Sequence, residues 1–384
     1  MIIRQLNEND VFQHERVSSQ SFIYSCDVDS NENKLPCGFL IGAFADDNKT
    51  LMADMEIENR TCFFGSGKLT CAAVGGVASK PEYRNRGSIR SIFNALFNND
   101  EYRRGAEISL LYPFSIAYYK KFGYESVGGA IELKVPFTEF RNIQRCSDVF
   151  LYEEQDNDRF FELYNQSAKK DLLTFERKDR KYFTFNPYKT LRYTYVLNDY
   201  SAYITFSVDR KESVIFVKEI EFLNRDSLLK IAGFLRNFEG NQKYVVFSKL
   251  SESSPVLNLF NDEKTVSKRL FSVGSARVID VEAVLAKKDY PMCDGSFSLK
   301  CIDGVERNNA VFDVSYSNGK GEVIKRDSGT ADVILDICAA SKVLLSGVRD
   351  ASAAGYLEGV QINKYNDAFF NAFPFKSCFA NDDF

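Results

Sequence analysis

The sequence predicts a mixed α/β (α+β) fold built from more than one unit. Three observations carry this reading. A strand, a tight glycine loop and an amphipathic helix follow one another between Leu69 and Phe97. Strands rich in tyrosine and phenylalanine precede a second amphipathic helix between Leu191 and Phe238, and further strands precede helices after Asp289. At about 100 to 200 residues per domain, 384 residues make two or three domains.

Taken in order, apolar Met1 to Leu6 reads as a strand, Asn9 to Phe22 as a helix, and Gly38 to Phe44 and Leu51 to Ile57 as strands. Leu69 to Ser79 is a strand of small apolar residues. After Gly87, Ile89, Ile92, Phe93, Leu96 and Phe97 recur at helical spacing. Strand Glu107 to Tyr112 leads into the short helix Ile116 to Phe122, which Gly123 stops. Strands Leu191 to Val196, Ala202 to Ser207 and Ser213 to Lys218 precede a helix carrying Leu228, Ile231, Leu235 and Phe238, then strand Lys243 to Phe247. After a boundary near Asp289-Tyr290-Pro291 come strands Ser296 to Cys301, Ala310 to Tyr316 and Gly321 to Lys325. Helices Asp336 to Ser346, Asp350 to Leu357 and Lys364 to Phe373 follow, with Asp350 as an N-cap. The end of the chain, Phe375 to Phe384, is aromatic rather than solvating and is expected to dock.

Composition narrows the chemistry. Lysine and arginine number 49 against 53 acids, a net charge of −4, so a duplex-binding basic footprint is not expected and nucleic acid is not a predicted partner. Nine cysteines without a CxxC pair suit a reducing compartment and small core positions better than a disulfide framework. With His14 the single histidine, multi-histidine metal sites are excluded and no metal is expected. His14 itself reads as a surface or satisfied core residue. The first residues lack a signal-peptide pattern and no apolar run of about 18 residues occurs, so a cytoplasmic protein without a membrane span is expected.

The stretch that carries chemistry runs from Val77 to Arg90. A loop between strand and helix leaves backbone N–H groups free at the helix start, and Gly87 lets the main chain approach a ligand closely. Arg84, Arg86 and Arg90 add charge at that end. Cations in a first turn oppose the macrodipole by a few tenths of a kcal/mol, an arrangement that suits a polyanion better than a helix. Gly65-Ser66-Gly67 and Gly75-Gly76 read as turn and bulge glycines.

This stretch resembles motif A of the GNAT acetyltransferase superfamily, whose Arg/Gln-x-x-Gly-x-Gly/Ala loop holds the pyrophosphate of acetyl-CoA; Ile89 stands where the motif has a small residue. Leu111 to Tyr124 is similar to a segment of the Eis (enhanced intracellular survival) acetyltransferases that ends Tyr-x-x-Phe-Gly-Tyr, and Arg277 to Ala286 resembles that family's junction into its last domain. The resemblance implies two tandem GNAT-like domains, residues 1–144 binding acetyl-CoA and residues 145–280 degenerate, then a sterol-carrier-protein-like domain, residues 281–384. It implies that Val77, Ala78 and Ser79 lie along pantetheine, that Asn85, Arg86, Gly87, Ser88, Ile89 and Arg90 surround the pyrophosphate, and that Phe114 and Ser115 stand near the thioester. It further implies Tyr119 as general acid and the Phe384 α-carboxylate as general base. A phenol of ordinary pKa about 10 is protonated at neutral pH, as an acid must be, whereas an α-carboxyl near 3.5 is a weak base unless its site raises it.

The expected function is an acetyl-CoA-dependent N-acetyltransferase acting by direct transfer on a primary amine of an aminoglycoside, polyamine or lysine side chain, in a homo-oligomer, by resemblance a hexamer. Asp382 and Asp383 would favour a cationic acceptor. The alternative is a protein that binds lipid through the sterol-carrier-like domain and keeps a vestigial acetyltransferase half.

Overall fold

The computed structural model describes residues 1–22, 38–153, 157–184, 186 and 190–384, so Cys26 and Cys37 lie outside the described residues. β1 (Ile2–Gln5) passes through a 3-10 turn capped by Asn7 into α1 (Val11–Ser21). β2 (Phe39–Phe44), β3 (Leu51–Phe64) and β4 (Gly67–Ser79) form a meander whose last two strands are a long hairpin. Gly65 turns that hairpin at φ +62°, where a Cβ would stand 2.0 Å from Asp289 Oδ2. β3 runs well past Ile57, where the sequence reading ends it. Its later face carries Glu58 and Arg60, and both find oppositely charged partners from far along the chain, Lys181 and Asp382.

α2 (Ser88–Asn98) buries the stripe Ile89, Ile92, Phe93, Leu96 and Phe97 against the sheet. Such burial contributes about 1.5–3 kcal/mol per side chain. α3 (Asp100–Arg103), β5 (Ile108–Leu111), α4 (Ile116–Lys120) and β6 (Glu125–Ser126) follow. After α4, Gly123 sits at φ +84°, and a Cβ there would run into Arg277 Nη1.

The next stretch contains β7 (Gly129–Pro136), β8 (Val149–Leu151), α5 (Asp158–Ala168), α6 (Lys181–Thr184), β9 (Tyr193–Leu197), β10 (Ala202–Asp209), β11 (Val214–Phe222), α7 (Arg225–Leu235), β12 (Tyr244–Ser251), α8 (Val256–Leu259) and β13 (Ser267–Ser272). β14 (Ser275–Val278) and α9 (Val281–Lys287) lead into β15 (Gly295–Ile302), β16 (Val311–Ser317), β17 (Lys320–Arg326), β18 (Val333–Asp336), α10 (Ile337–Ser346), α11 (Ala351–Ala354), β19 (Val360–Ile362) and α12 (Asp367–Ala372). The last two helices are shorter than the sequence suggests. The Asp350 side chain accepts from the Ala353 amide and α11 then lasts a single turn; the Asn366 side chain accepts from Ala368 and delays α12 to Asp367.

The fold is mixed α+β with three sheets, ordered β1-β2-β3-β4-β5-β14-β6, β13-β7-β12-β11-β10-β9-β8 and β17-β16-β15-β18-β19. The first two repeat one design. Four antiparallel strands end in a parallel pair joined through a helix: β4 and β5 through α2 in the first, β11 and β12 through α7 in the second. β14 closes between β5 and β6, and the buried Arg277 in it forms a bidentate pair with Asp303 at 2.9 and 3.0 Å. One apolar core runs without a break from Cys62 and Cys71 under the first sheet to Phe369, Phe373 and Cys378.

His14 of α1 is a satisfied core histidine. Its Nδ1 lies 2.8 Å from the buried Asp54 Oδ2 of β3. Burial lowers the imidazole pKa, but the hydrogen bond and charge of Asp54 outweigh it and the net shift is upward; burial also pushes the Asp54 carboxyl up.

Candidate functional site

β4 and β5 separate where the candidate site begins. They pair in parallel from Cys71↔Ile108 to Val74↔Leu111, after which Gly75 to Ser79 continue beside β3 alone. A bulge interrupts even that pairing between Asp54 and Glu56, with Gly76 at φ +55°. Along Gly75 to Ser79 the main chain therefore has no strand partner on the β5 side, so an extended ligand finds donors and acceptors there. Val77 packs on the α2 core, Ala78 is buried against α1, and Ser79 pairs with Ala53.

The next residues turn sharply. Pro81–Tyr83 is one 3-10 turn, Asn85 lies at φ 62°, and Gly87 caps α2 at φ 82° without any side-chain hydrogen bond to the helix. The first amides of α2 are thus free. Buried Ser88 Oγ has no hydrogen-bond partner among the described residues. Ile89 turns into the core, so it offers the loop only its main chain and a small residue is not needed there. Arg84, Arg86 and Arg90 are exposed and enter no ion pair among the described residues; Arg86 lies 5.3 Å above the Tyr83 ring. Free amides, an orphaned hydroxyl and unpaired guanidinium groups around a left-handed glycine fit a diphosphate.

Past β5, Ser115 caps α4 by accepting from the Tyr118 amide, while Phe114 is 77% exposed. Tyr119 is 4% exposed, within an aromatic cluster of Phe93, Phe114, Tyr118, Phe122 and Tyr124 with ring centroids 5.2–6.4 Å away. Its hydroxyl makes no hydrogen bond to a described residue and is not sealed from solvent. Burial, and then neighbouring Tyr118, push the phenol pKa up.

The tail docks between the first two sheets. The Phe379 amide donates to Leu172 O at 2.8 Å, and Cys378, Phe379, Ala380 and Asp382 are buried. Phe384 stacks 5.1 Å from Tyr112, the residue after β5, and 5.6 Å from Phe175. On its other side a Cβ on Gly75 would stand 3.4 Å from the Phe384 main-chain carbon and oxygen. The terminus thus enters the gap between the ends of β4 and β5. It borders a cavity of about 400 Å³ lined also by Glu56, Glu58, Ala73, Tyr182, Lys218 and Asp383.

Sequence reasoning missed the residues that hold this arrangement. Tyr112 Oη lies 2.5 Å from Asp382 O and receives Lys249 Nζ at 3.2 Å. Burial pushes the Tyr112 phenol well up, with Asp383 and Asp382 adding to it, and pulls the Lys249 ammonium down to about 8. Arg60 binds Asp382 Oδ2, and Arg177 binds Oδ1 through Nε and Nη2 at 3.0 and 2.6 Å. Arg177 continues to Glu219 of β11 at 2.7 and 3.0 Å. Burial alone would raise the Asp382 carboxyl; Arg177 and Arg60 overturn that and hold it below the usual carboxylate range. The available signal was the alternation Asp54, Glu56, Glu58, Arg60, which puts charge on one face of β3. Burial pushes the Glu56 carboxyl up, and Glu58 adds to it.

Among the described residues no group of His, Cys, Asp and Glu is placed to hold a metal ion, and no helix is long and apolar enough to cross a membrane. Residues 3–127 match the family model of the acetyltransferase (GNAT) domain. A search of curated proteins finds no match. Among solved structures, the chain is similar to a GCN5-related N-acetyltransferase from Anabaena variabilis (20% identity, TM-score 0.85, all of both chains covered). It is also similar to Eis1 from Mycobacterium abscessus (17% identity, TM-score 0.81, all of both chains) and to a protein from Enterococcus faecalis described as a probable N-acyltransferase (18% identity, TM-score 0.81, 98% of this chain and 99% of that one). These likenesses show a shared fold along the whole chain, consistent with tandem GNAT-like domains followed by a further domain. The acetyltransferase domain at the start of the chain supports an acyltransferase enzyme.

Proposed function

We propose that the protein is an acetyl-CoA-dependent N-acetyltransferase of the Eis type that acylates a primary amine by direct transfer. Val77 to Ser79 would hold pantetheine along the open edge of β4, Asn85 to Arg90 the diphosphate, and Phe114 and Ser115 would flank the thioester. The amine nitrogen attacks the thioester carbonyl and the C–S bond breaks. The departing thiolate takes a proton from Tyr119, and the proton lost by nitrogen goes to the α-carboxylate that Phe384 carries as the last residue of this sequence.

The observation that carries this reading is the place of Phe384, whose main-chain carbon and oxygen lie 3.4 Å from where a Cβ on Gly75 would stand, one residue beyond the last β4–β5 pair. Support for the acid comes from the Tyr119 hydroxyl, which bonds to no described residue and reaches solvent, and from a phenol that is protonated at neutral pH. Around the same cavity Glu56, Glu58, Asp382, Asp383 and the proposed terminal carboxylate face Arg60, Arg177, Lys181 and Lys218, a balance one charge to the negative side that favours a cationic acceptor, whether aminoglycoside, polyamine or lysine side chain. The domains would be residues 1–144, 145–280 and 281–384, the second a GNAT-like unit without a phosphate loop and the last sterol-carrier-like. A cytoplasmic homo-oligomer, a hexamer by resemblance, belongs to the same reading.

The test is thiol release from acetyl-CoA with a panel of amines, for the full chain and for a variant lacking Phe384. The proposal expects turnover with at least one amine and its loss on deletion, with coenzyme A affinity unchanged. Full activity without Phe384 would refute the base, and no thiol release with any amine the reaction itself.

A further inference from the structure

We infer that Arg60 and Arg177 are positioning residues for acyl transfer, which act by gripping Asp382 and so fixing the Phe384 carboxyl at the β4–β5 gap. This rests on the reading of Phe384 as the base.

The argument starts from charge. Buried Arg60, Arg177 and Asp382 and half-buried Glu219 form a group of two cations and two anions, electrically balanced. Each Asp382 oxygen has its own guanidinium, Oδ2 that of Arg60 and Oδ1 that of Arg177. A carboxylate held at both oxygens cannot swing, and Tyr112 Oη fixes the carbonyl of the same residue. Phe384 is two residues on, so whatever holds Asp382 sets where the carboxyl can reach.

Each guanidinium is itself immobilised. Arg60 lies over Phe175 and Tyr182 at 4.2 and 4.0 Å, and Arg177 over Tyr164 and Phe183 at 4.0 and 4.6 Å. Glu219, which orients Arg177, receives Tyr203 Oη at 2.7 Å, so the far end of the chain of contacts is anchored in β10 and β11. A tail that needed only to be stuck down could use the apolar contacts of Cys378 and Phe379. The bidentate, aromatic-braced grip falls instead on the residue nearest the end that is buried. It also gives the second sheet, which has no phosphate loop, a part in the reaction: it supplies the rigid post to which the base is tied.

The experiment is a double-mutant cycle between Asp382→Asn and deletion of Phe384, read as kcat, KM for acetyl-CoA and melting temperature. Asp382→Asn in the full chain is expected to lower kcat about tenfold to a hundredfold with KM for acetyl-CoA within about twofold. In the chain lacking Phe384 the same substitution is expected to lower the residual rate no further, because the group it positions is gone. Equal losses in both backgrounds, or an unchanged kcat in the full chain, would overturn the inference while leaving the base assignment intact. Full activity on deletion alone would instead refute the base. If Asp382→Asn does not fold, Arg60→Lys, which keeps the charge and loses the fork, takes its place in the cycle with the same expectations and the same overturning result.

Discussion

Gly75 and Phe384 lie close across 309 positions of sequence: a Cβ added to Gly75 would stand 3.4 Å from the main-chain carbon and oxygen of Phe384. A methyl group fits at that distance and a branched side chain does not. Gly75→Ala is therefore expected to keep most of the activity, whereas Gly75→Val displaces the terminus and lowers kcat about tenfold to a hundredfold. Steady-state kinetics on both variants, with circular dichroism to verify folding, checks the pair. Equal activity in the two would separate the contact from the reaction.

Tyr119→Phe removes a hydroxyl that has no hydrogen-bond partner among the described residues and keeps the ring in its aromatic cluster. Stability is expected to stay within about 0.5 kcal/mol, while kcat falls about 10² to 10⁴-fold. Burial raises the phenol pKa above its ordinary value, so the acid stays protonated and its titration does not limit activity anywhere below about pH 10. An alkaline loss of kcat that disappears in Tyr119→Phe would contradict this.

Gly87→Ala puts a side chain at φ +82°, a conformation costing about 1–2 kcal/mol, although no atom lies within 4 Å of the new Cβ. The expected result is weaker acetyl-CoA binding, about tenfold in KM, with kcat at saturation little changed. Replacing Arg84, Arg86 and Arg90 together by alanine should weaken binding further, and the difference from the parent should shrink as salt rises. Isothermal titration with coenzyme A at two ionic strengths measures both effects.

The pair of His14 and Asp54 predicts a pH dependence of stability. The His14 pKa is raised on folding, so its contribution is complete below about 6.5 and is lost as pH rises through the higher folded value. The buried Asp54 carboxyl is also raised, which gives the same sign. Burial pushes the Glu221 carboxyl up to about 8 and pulls the Lys249 and Lys288 ammonium groups down to about 8, so the informative quantity is a difference between two melting curves. His14→Gln is expected to cost about 1–3 kcal/mol at pH 6 and progressively less toward pH 9. A constant gap between the curves would rule the pair out as the source.

Much of this molecule is legible in the chain, and the remainder is hidden for physical reasons. The stripe on α2, the caps at Asp350 and Gly123 and the loop at Gly87 follow from interactions between near neighbours. The second half of β3 is hidden because Glu58 and Arg60 look like solvent-facing residues until Lys181 and Asp382 arrive from elsewhere. Docking of the tail follows from its aromatic content, but its grip by Arg60 and Arg177 spans separations of 322 and 205 residues. The alternation in β3 marks a charged face, but nothing in it names a partner so far along the chain. His14 gave no sign of its partner because Asp54 sits in an apolar strand where alternation alone cannot name a contact.

The placement of β14 has a bearing on biosynthesis. Its residues, Ser275–Val278, separate β5 from β6, so the first sheet is incomplete until every strand of the second has left the ribosome. Until then β5 presents a bare edge on that side. The segment proposed to bind acetyl-CoA is translated early and acquires its finished shape late, and an amino-terminal fragment cut before Ser275 forfeits the strand that completes it.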